Sequence, residues 1–190
     1  MNTTVLHIKN MVCPRCIKMV RYVLEHQELA VVDVSLGKAI VEGAPDAEQI
    51  GRIAKALEEE GFTLLDDRRL QTVESIKNFV IETVHYGELD ELNENFSTLL
   101  SQHLQKDYQQ LSKLFSETEH TTIEQYVIQQ KIERVKELLV YNELTLSEIA
   151  YKLGYSSVAH LSGQFKKVTG LTPSHFKAVK EEKRKPLDKI

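Results

Sequence analysis

Leu111-Ser112-Lys113-Leu114-Phe115 recurs fifty residues further on as Leu161-Ser162-Gly163-Gln164-Phe165. Upstream of each copy, Leu100-Ser101-Gln102-His103-Leu104 matches Ala150-Tyr151-Lys152-Leu153 with a one-residue slip in the turn. An internal repeat constrains a fold more than any composition does, because both copies must solve the same packing problem. Each copy reads as two short helices joined by a tight turn. The stretch from Thr121 or Thr122 to about Tyr141 reads as one long helix between them. From residue 96 onward the chain is therefore predicted to be all-α, with a double helix-turn-helix. Such a tandem can present two helices to two stretches of DNA major groove. The helix starts carry capping signals. Asp107 with Gln110 and Thr145 with Glu148 have capping-box spacing, and Thr172 precedes Pro173.

The second helix of each copy has an inner and an outer face at 100° per residue. Leu111, Leu114 and Phe115 are predicted to point inward, as are Val158, Leu161, Phe165 and Val168. Gln109 and Lys113 then point outward, flanked by Gln110 and Ser112. In the second copy the outward positions are Ser156, Ala159, Gly163 and Lys166, flanked by His160 and Lys167. Gln can be bidentate to adenine and Lys can donate to guanine. Ala159 can meet a thymine methyl, and Lys166 and Lys167 can hold phosphates, which position a protein without specifying sequence.

Three segments of this region, Lys131 to Leu139, Leu146 to Ser156 and Phe165 to Phe176, closely resemble the AraC/XylS family of bacterial transcription regulators. The resemblance covers residues 92–178. It rests on the joint spacing of Ile149-Ala150, Gly154-Tyr155, Phe165, Gly170, Pro173 and Phe176. It implies a seven-helix DNA-binding domain with two helix-turn-helix units. Gly163 departs from the family, which commonly has a long polar or basic residue there.

The front of the chain has another rhythm. Val5 to Lys9 alternates as a strand does. Residues 14–26 follow with Ile17, Val20 and Leu24 at helical spacing. Leu29–Val34 and Ala39–Val41 read as strands about a turn at Gly37. A second helix starts at Pro45-Asp46, buries Ile50, Ile53, Ala54 and Leu57, and ends at Gly61. Phe62–Leu65 reads as a fourth strand. This order predicts an α+β, ferredoxin-like βαββαβ domain over residues 1–66.

Met11-Val12-Cys13-Pro14-Arg15-Cys16 lies between the first strand and the first helix, and these cysteines are the chain's only two. Residues 13 and 16 share one side of a first helical turn, where free N–H groups and the helix dipole favour thiolates. Two thiolates alone suit a soft ion. Cu(I) is the leading candidate, with Zn(II), Cd(II) or Hg(II) as alternatives. Zn(II) would require further ligands, such as a second chain's. The Met-x-Cys-x-x-Cys, with Gly61-Phe62 before the last strand, resembles the heavy-metal-associated domain of copper chaperones and metal-transporting ATPases, over residues 3–66. Val12 and Pro14 depart from that pattern without removing a ligand. Met11 reads as a buried plug and His7 as a strand surface residue.

The net charge of -4 hides an asymmetry. Residues 1–66 carry -3, residues 67–95 carry -4, and residues 96–190 carry +3. Residues 67–95 read as a helical linker, with Val73, Ile76, Val80 and Val84 forming a stripe that must be buried. Residues 96–180 are the expected DNA-binding domain, and residues 181–190 a charged tail. No apolar run reaches the roughly 20 residues of a membrane helix, and no secretory start is visible. Two cysteines exclude a disulfide-stapled scaffold, and 66 residues are too few for a thioredoxin-like oxidoreductase. No catalytic constellation is visible, so the chain reads as a non-enzyme. The expectation is a cytoplasmic, bacterial, metal-responsive regulator bound to double-stranded DNA. It would act as a homodimer, or with a metal chaperone or pump domain of like fold as partner. The alternatives are a front domain that serves interaction or dimerisation, or one that senses thiol redox state.

Overall fold

In the computed structural model, residues 2–89 and 95–182 are described. The alternation near the N-terminus becomes β1 (Thr3–Lys9), which buries Leu6 and Ile8. Then follow α1 (Pro14–His26), β2 (Val31–Ser35), β3 (Lys38–Glu42), α2 (Ala47–Glu59) and β4 (Thr63–Leu65). The four strands form one antiparallel sheet in the order β2-β3-β1-β4. The central pairing sets Thr3 opposite Glu42 and His7 opposite Lys38. This is the expected βαββαβ architecture. The α2 start is fixed by Asp46, whose side chain accepts from Gln49 N–H while Gln49 returns a bond to the Asp46 N–H. Gly61 takes the left-handed conformation after α2 (φ 82°), as a helix-ending glycine should.

The apolar stripe of residues 73–84 is buried as expected: Val73, Ile76, Val80 and Val84 are each at most 2% exposed. It lies on α3 (Arg68–Ile81), which passes directly into a π-helical turn, Glu82–Tyr86. The periodicity gave no sign of that change in winding. Beyond it lie α4 (Phe96–Leu104), α5 (Tyr108–Glu119), α6 (Ile123–Tyr141), α7 (Leu146–Lys152), α8 (Val158–Thr169) and α9 (Pro173–Glu182). These are six helices among the described residues, where the family resemblance implied seven. Residues 90–94 of the expected helical linker and residues 183–190 of the charged tail lie outside the described residues.

The chain divides into two compact units. The first comprises Met1–Phe79 and Leu100–His120, so α5 and the C-terminal half of α4 fold with the sheet and with most of α3. The second comprises Val80–Leu99 and Thr121–Ile190. Its core joins Val80, Val84 and Leu89 to Ile132, Val135 and Leu139 of α6, Ile149 of α7, and Leu161 and Phe165 of α8.

Candidate nucleic-acid interface and thiol pair

Helix α5 is built to hold polar residues outward. Asp107 caps it by accepting from the Gln109 and Gln110 N–H groups at 2.9 and 3.1 Å. Leu111 and Phe115 are buried, with Leu114 half-buried. Gln109, Gln110 and Lys113 are exposed, and Ser112 is half-buried. The preceding turn places Gln105 in the left-handed region (φ 51°). Lys113 lies 4.0 Å from Glu117, which also pairs with Arg69 of α3 at 3.0 Å. The i,i+4 spacing of Lys113 and Glu117 was readable in the sequence. The Arg69 partner, 48 residues away, left no local signal.

In the second copy, Gly154 supplies the left-handed turn (φ 67°) and Ser157 caps α8 by accepting from His160 N–H. Ser156, Ala159, His160, Gly163, Lys166 and Lys167 are all exposed. Ser156 Oγ and His160 Nδ1 lie 3.1 Å apart. A Cβ added to Gly163 would meet nothing within 4 Å, so no packing demands a glycine there. Leu161 and Phe165 are buried, but Val168 is 44% exposed. Its expected inward orientation is corrected: it sits in the last turn of α8, where the inner face runs out of core. Behind the helix, Tyr155 donates to Gln164 Oε1 at 2.7 Å and lies under the Lys131 ammonium, 5.3 Å from its ring centre. Burial pushes the Tyr155 phenol up to about 12 and holds Lys131 below its ordinary value.

At the other candidate site, Cys13 occupies the N-cap of α1 in extended conformation, and Pro14 opens the helix. Cys16 N–H donates to the Cys13 carbonyl at 2.9 Å, closing the turn. The two sulfurs lie 3.4 Å apart, close enough for one thiol to donate to the other. The Cys16 backbone N–H holds the Cys13 thiol below its ordinary value; the Cys16 thiol and Arg15 add to this, and burial opposes it. Met11 is fully buried and belongs to the core. His7 is half-buried and borders a cavity of about 270 Å³ with Arg68, Gln71 and Lys106. Burial first, then Lys38, holds its imidazole below the ordinary value. Among the described residues no group of three or more His, Cys, Asp or Glu side chains converges as metal ligands. Among the described residues no helix is long and apolar enough to cross a membrane.

Residues 100–178 match a family model described as a helix-turn-helix domain. The xylose operon regulatory protein of Haemophilus influenzae is 32% identical over 75 residues, which are 40% of this chain and 19% of that protein. The chain thus spans about a fifth of the length of that curated relative. Among solved structures, the C-terminal domain of AraT, a response regulator from Geobacillus stearothermophilus, has a TM-score of 0.50 at 21% identity, over 60% of this chain and 88% of that chain. The C-terminal domain of the two-component response regulator yesN from Fusobacterium nucleatum has a TM-score of 0.47 at 27% identity, over 55% of this chain and 95% of that chain. The AraT likeness is one of fold.

Proposed function

We propose that this chain is a sequence-specific, DNA-binding transcription regulator of the AraC/XylS type, acting in the bacterial cytoplasm. One observation carries the reading: within a matched helix-turn-helix domain, a capped helix presents Gln109, Gln110 and Lys113 to solvent. Those side chains have the hydrogen-bonding capacity to read adenine and guanine edges. The second helix contributes Ala159 as an apolar contact, with Lys166 and Lys167 on phosphates. The test is selection of duplexes from a random pool, followed by fluorescence anisotropy on the winners. Enrichment of a shared motif, lost in a Gln109→Ala/Lys113→Ala variant, supports the reading. Equal binding to all duplexes overturns it.

We further propose that Cys13 and Cys16 make the regulator responsive to a soft metal ion. Two sulfurs already in contact, one with a depressed pKa, and no cluster of three His, Cys, Asp or Glu ligands among the described residues fit a two-coordinate ion, which points to Cu(I). Zn(II), Cd(II) or Hg(II) would draw further ligands from a second copy or from a chaperone or pump domain. A bound ion would cross-link the two sulfurs. An anaerobic Cu(I) titration against a chromogenic chelator, with a Cys13→Ser/Cys16→Ser variant beside it, decides the matter. The same contact and depressed pKa favour a second reading, a thiol redox sensor. Loss of two electrons and two protons to a peroxide-class oxidant would join the sulfurs at about 2.05 Å. A reduced protein that fails to outcompete the chelator, yet forms the intramolecular disulfide, would favour that second reading.

A further inference from the structure

A continuous set of polar contacts in the first unit leads from the thiol loop to α5. Asn10, three residues before Cys13, has a left-handed backbone (φ 74°). Its backbone N–H donates to Glu74 Oε1 at 3.1 Å, and its side-chain amide donates to the Gly61 carbonyl at 3.1 Å. The loop is thus held from two sides. Glu74 is one of two buried polar residues in the described core, at 7% exposed, and its other oxygen lies 4.0 Å from Lys77 Nζ. Lys77 Nζ reaches Glu119 Oε1, at the end of α5, at 3.2 Å. The side chains of Lys77 and Glu119 are only 19% and 29% exposed, so solvent screens this pair less than a surface one. Lys77 also places a cation at the C-terminal end of α5, where the helix carbonyls favour positive charge and Glu119 alone would be unfavourable.

We propose that Glu74 and Lys77 are positioning residues that transmit the state of the Cys13–Cys16 pair to α5, the helix that carries Gln109 and Lys113. This rests on reading the thiol pair as the sensing site. Any event that forces the sulfurs out of their 3.4 Å contact shifts the loop anchored at Asn10. The Asn10–Glu74 bond then changes, and Lys77 redistributes between Glu74 and Glu119. By thermodynamic reciprocity, α5 bound to DNA biases the thiol loop in return.

The test is amide NMR of the full reduced chain before and after both thiols are alkylated with iodoacetamide. In the wild type, the Asn10 amide and those of residues 117–119 are expected to move together. In Lys77→Met, Asn10 still moves and the α5 end stays still; Lys77→Arg restores the joint response. Fold integrity is read from the rest of the spectrum. Should Lys77→Met fail to fold, Glu119→Gln makes the same comparison at a more exposed position. A wild-type α5 end that ignores alkylation overturns the proposal. So does an α5 response that persists undiminished in the folded variant. Alkylation needs no metal, so a failed Cu(I) titration defeats the metal reading alone and leaves this measurement decisive for the coupling.

Discussion

The two helix-turn-helix copies share a plan and differ in how they are held. In the first, α5 and the C-terminal half of α4 fold with the sheet and α3, and α5 is tied to α3 by the Arg69–Glu117 and Lys77–Glu119 ion pairs. In the second, α7–α8 sits on an apolar core with α6, and α8 makes no ion pair among the described residues. The outward faces divide the same way. Gln109 and Lys113 expose hydrogen-bonding side chains, whereas Ala159 and Gly163 offer none. A repeat thus keeps the buried positions while surface and support diverge, and under the proposed function one copy would specify sequence and the other grip.

The largest test of that comparison lies in the shared interior. Phe115 and Phe165 occupy the same repeat position and are both fully buried. Either one changed to Ala should cost about 3–5 kcal/mol. Native-state hydrogen exchange should place the loss in the first unit for Phe115→Ala and in the second for Phe165→Ala. Uniform loss across both units would mean that they do not open separately.

A smaller effect separates reading from gripping. Lys113→Ala should cost about 1–3 kcal/mol on the selected duplex and relax its sequence preference. Lys166→Ala should weaken all duplexes alike and lower the salt slope by roughly 1. Anisotropy across a salt series distinguishes the two, and the reverse pattern would invert the assignment of roles.

Smaller still are the backbone effects. Gly163→Ala should raise stability by about 1 kcal/mol, since the site is open and helical. Gly154→Ala should lower it, because a Cβ is strained at a φ of 67°. Gln105→Gly should relieve the equivalent strain in the first copy. Urea melts of the three variants check all of these signs.

The last effect is absent at neutral pH and emerges only in alkali. Tyr155 ionises at about 12 in the fold, above its ordinary value near 10. The unfolded chain therefore loses this proton first. The contribution to stability is whole below pH 10 and is lost as pH rises through 12. Tyr155→Phe should flatten that decline in alkaline melts.

Much of this was legible because the repeat and the alternation are local patterns. The succession of strands and helices, the buried stripe of α3 and the caps at Asp46, Asp107 and Thr145 all follow from neighbours within four residues. The exceptions arise from distance. Val168 obeys the helical period yet lies beyond the core it was expected to reach. Glu74 reads as an exposed linker acid until Asn10, 64 residues away, needs an acceptor. Cys13 and Cys16 were placed by spacing, and the backbone N–H groups that lower the Cys13 pKa were expected at a helix start, but the 3.4 Å contact comes from side-chain rotamers.

The first unit is assembled from two separate stretches of chain, Met1–Phe79 and Leu100–His120. This bears on how such a protein can be recombined. A crossover between residues 78 and 95 would look, on the gene, like a clean exchange of a front module for another. It would in fact strip α4 and α5 from the surface that supports them and cut the Arg69–Glu117 and Lys77–Glu119 pairs. Grafting this front half onto another DNA-binding domain would succeed only if α4 and α5 travelled with it. The sequence from Met1 to His120 is therefore the smallest heritable block that keeps the unit whole.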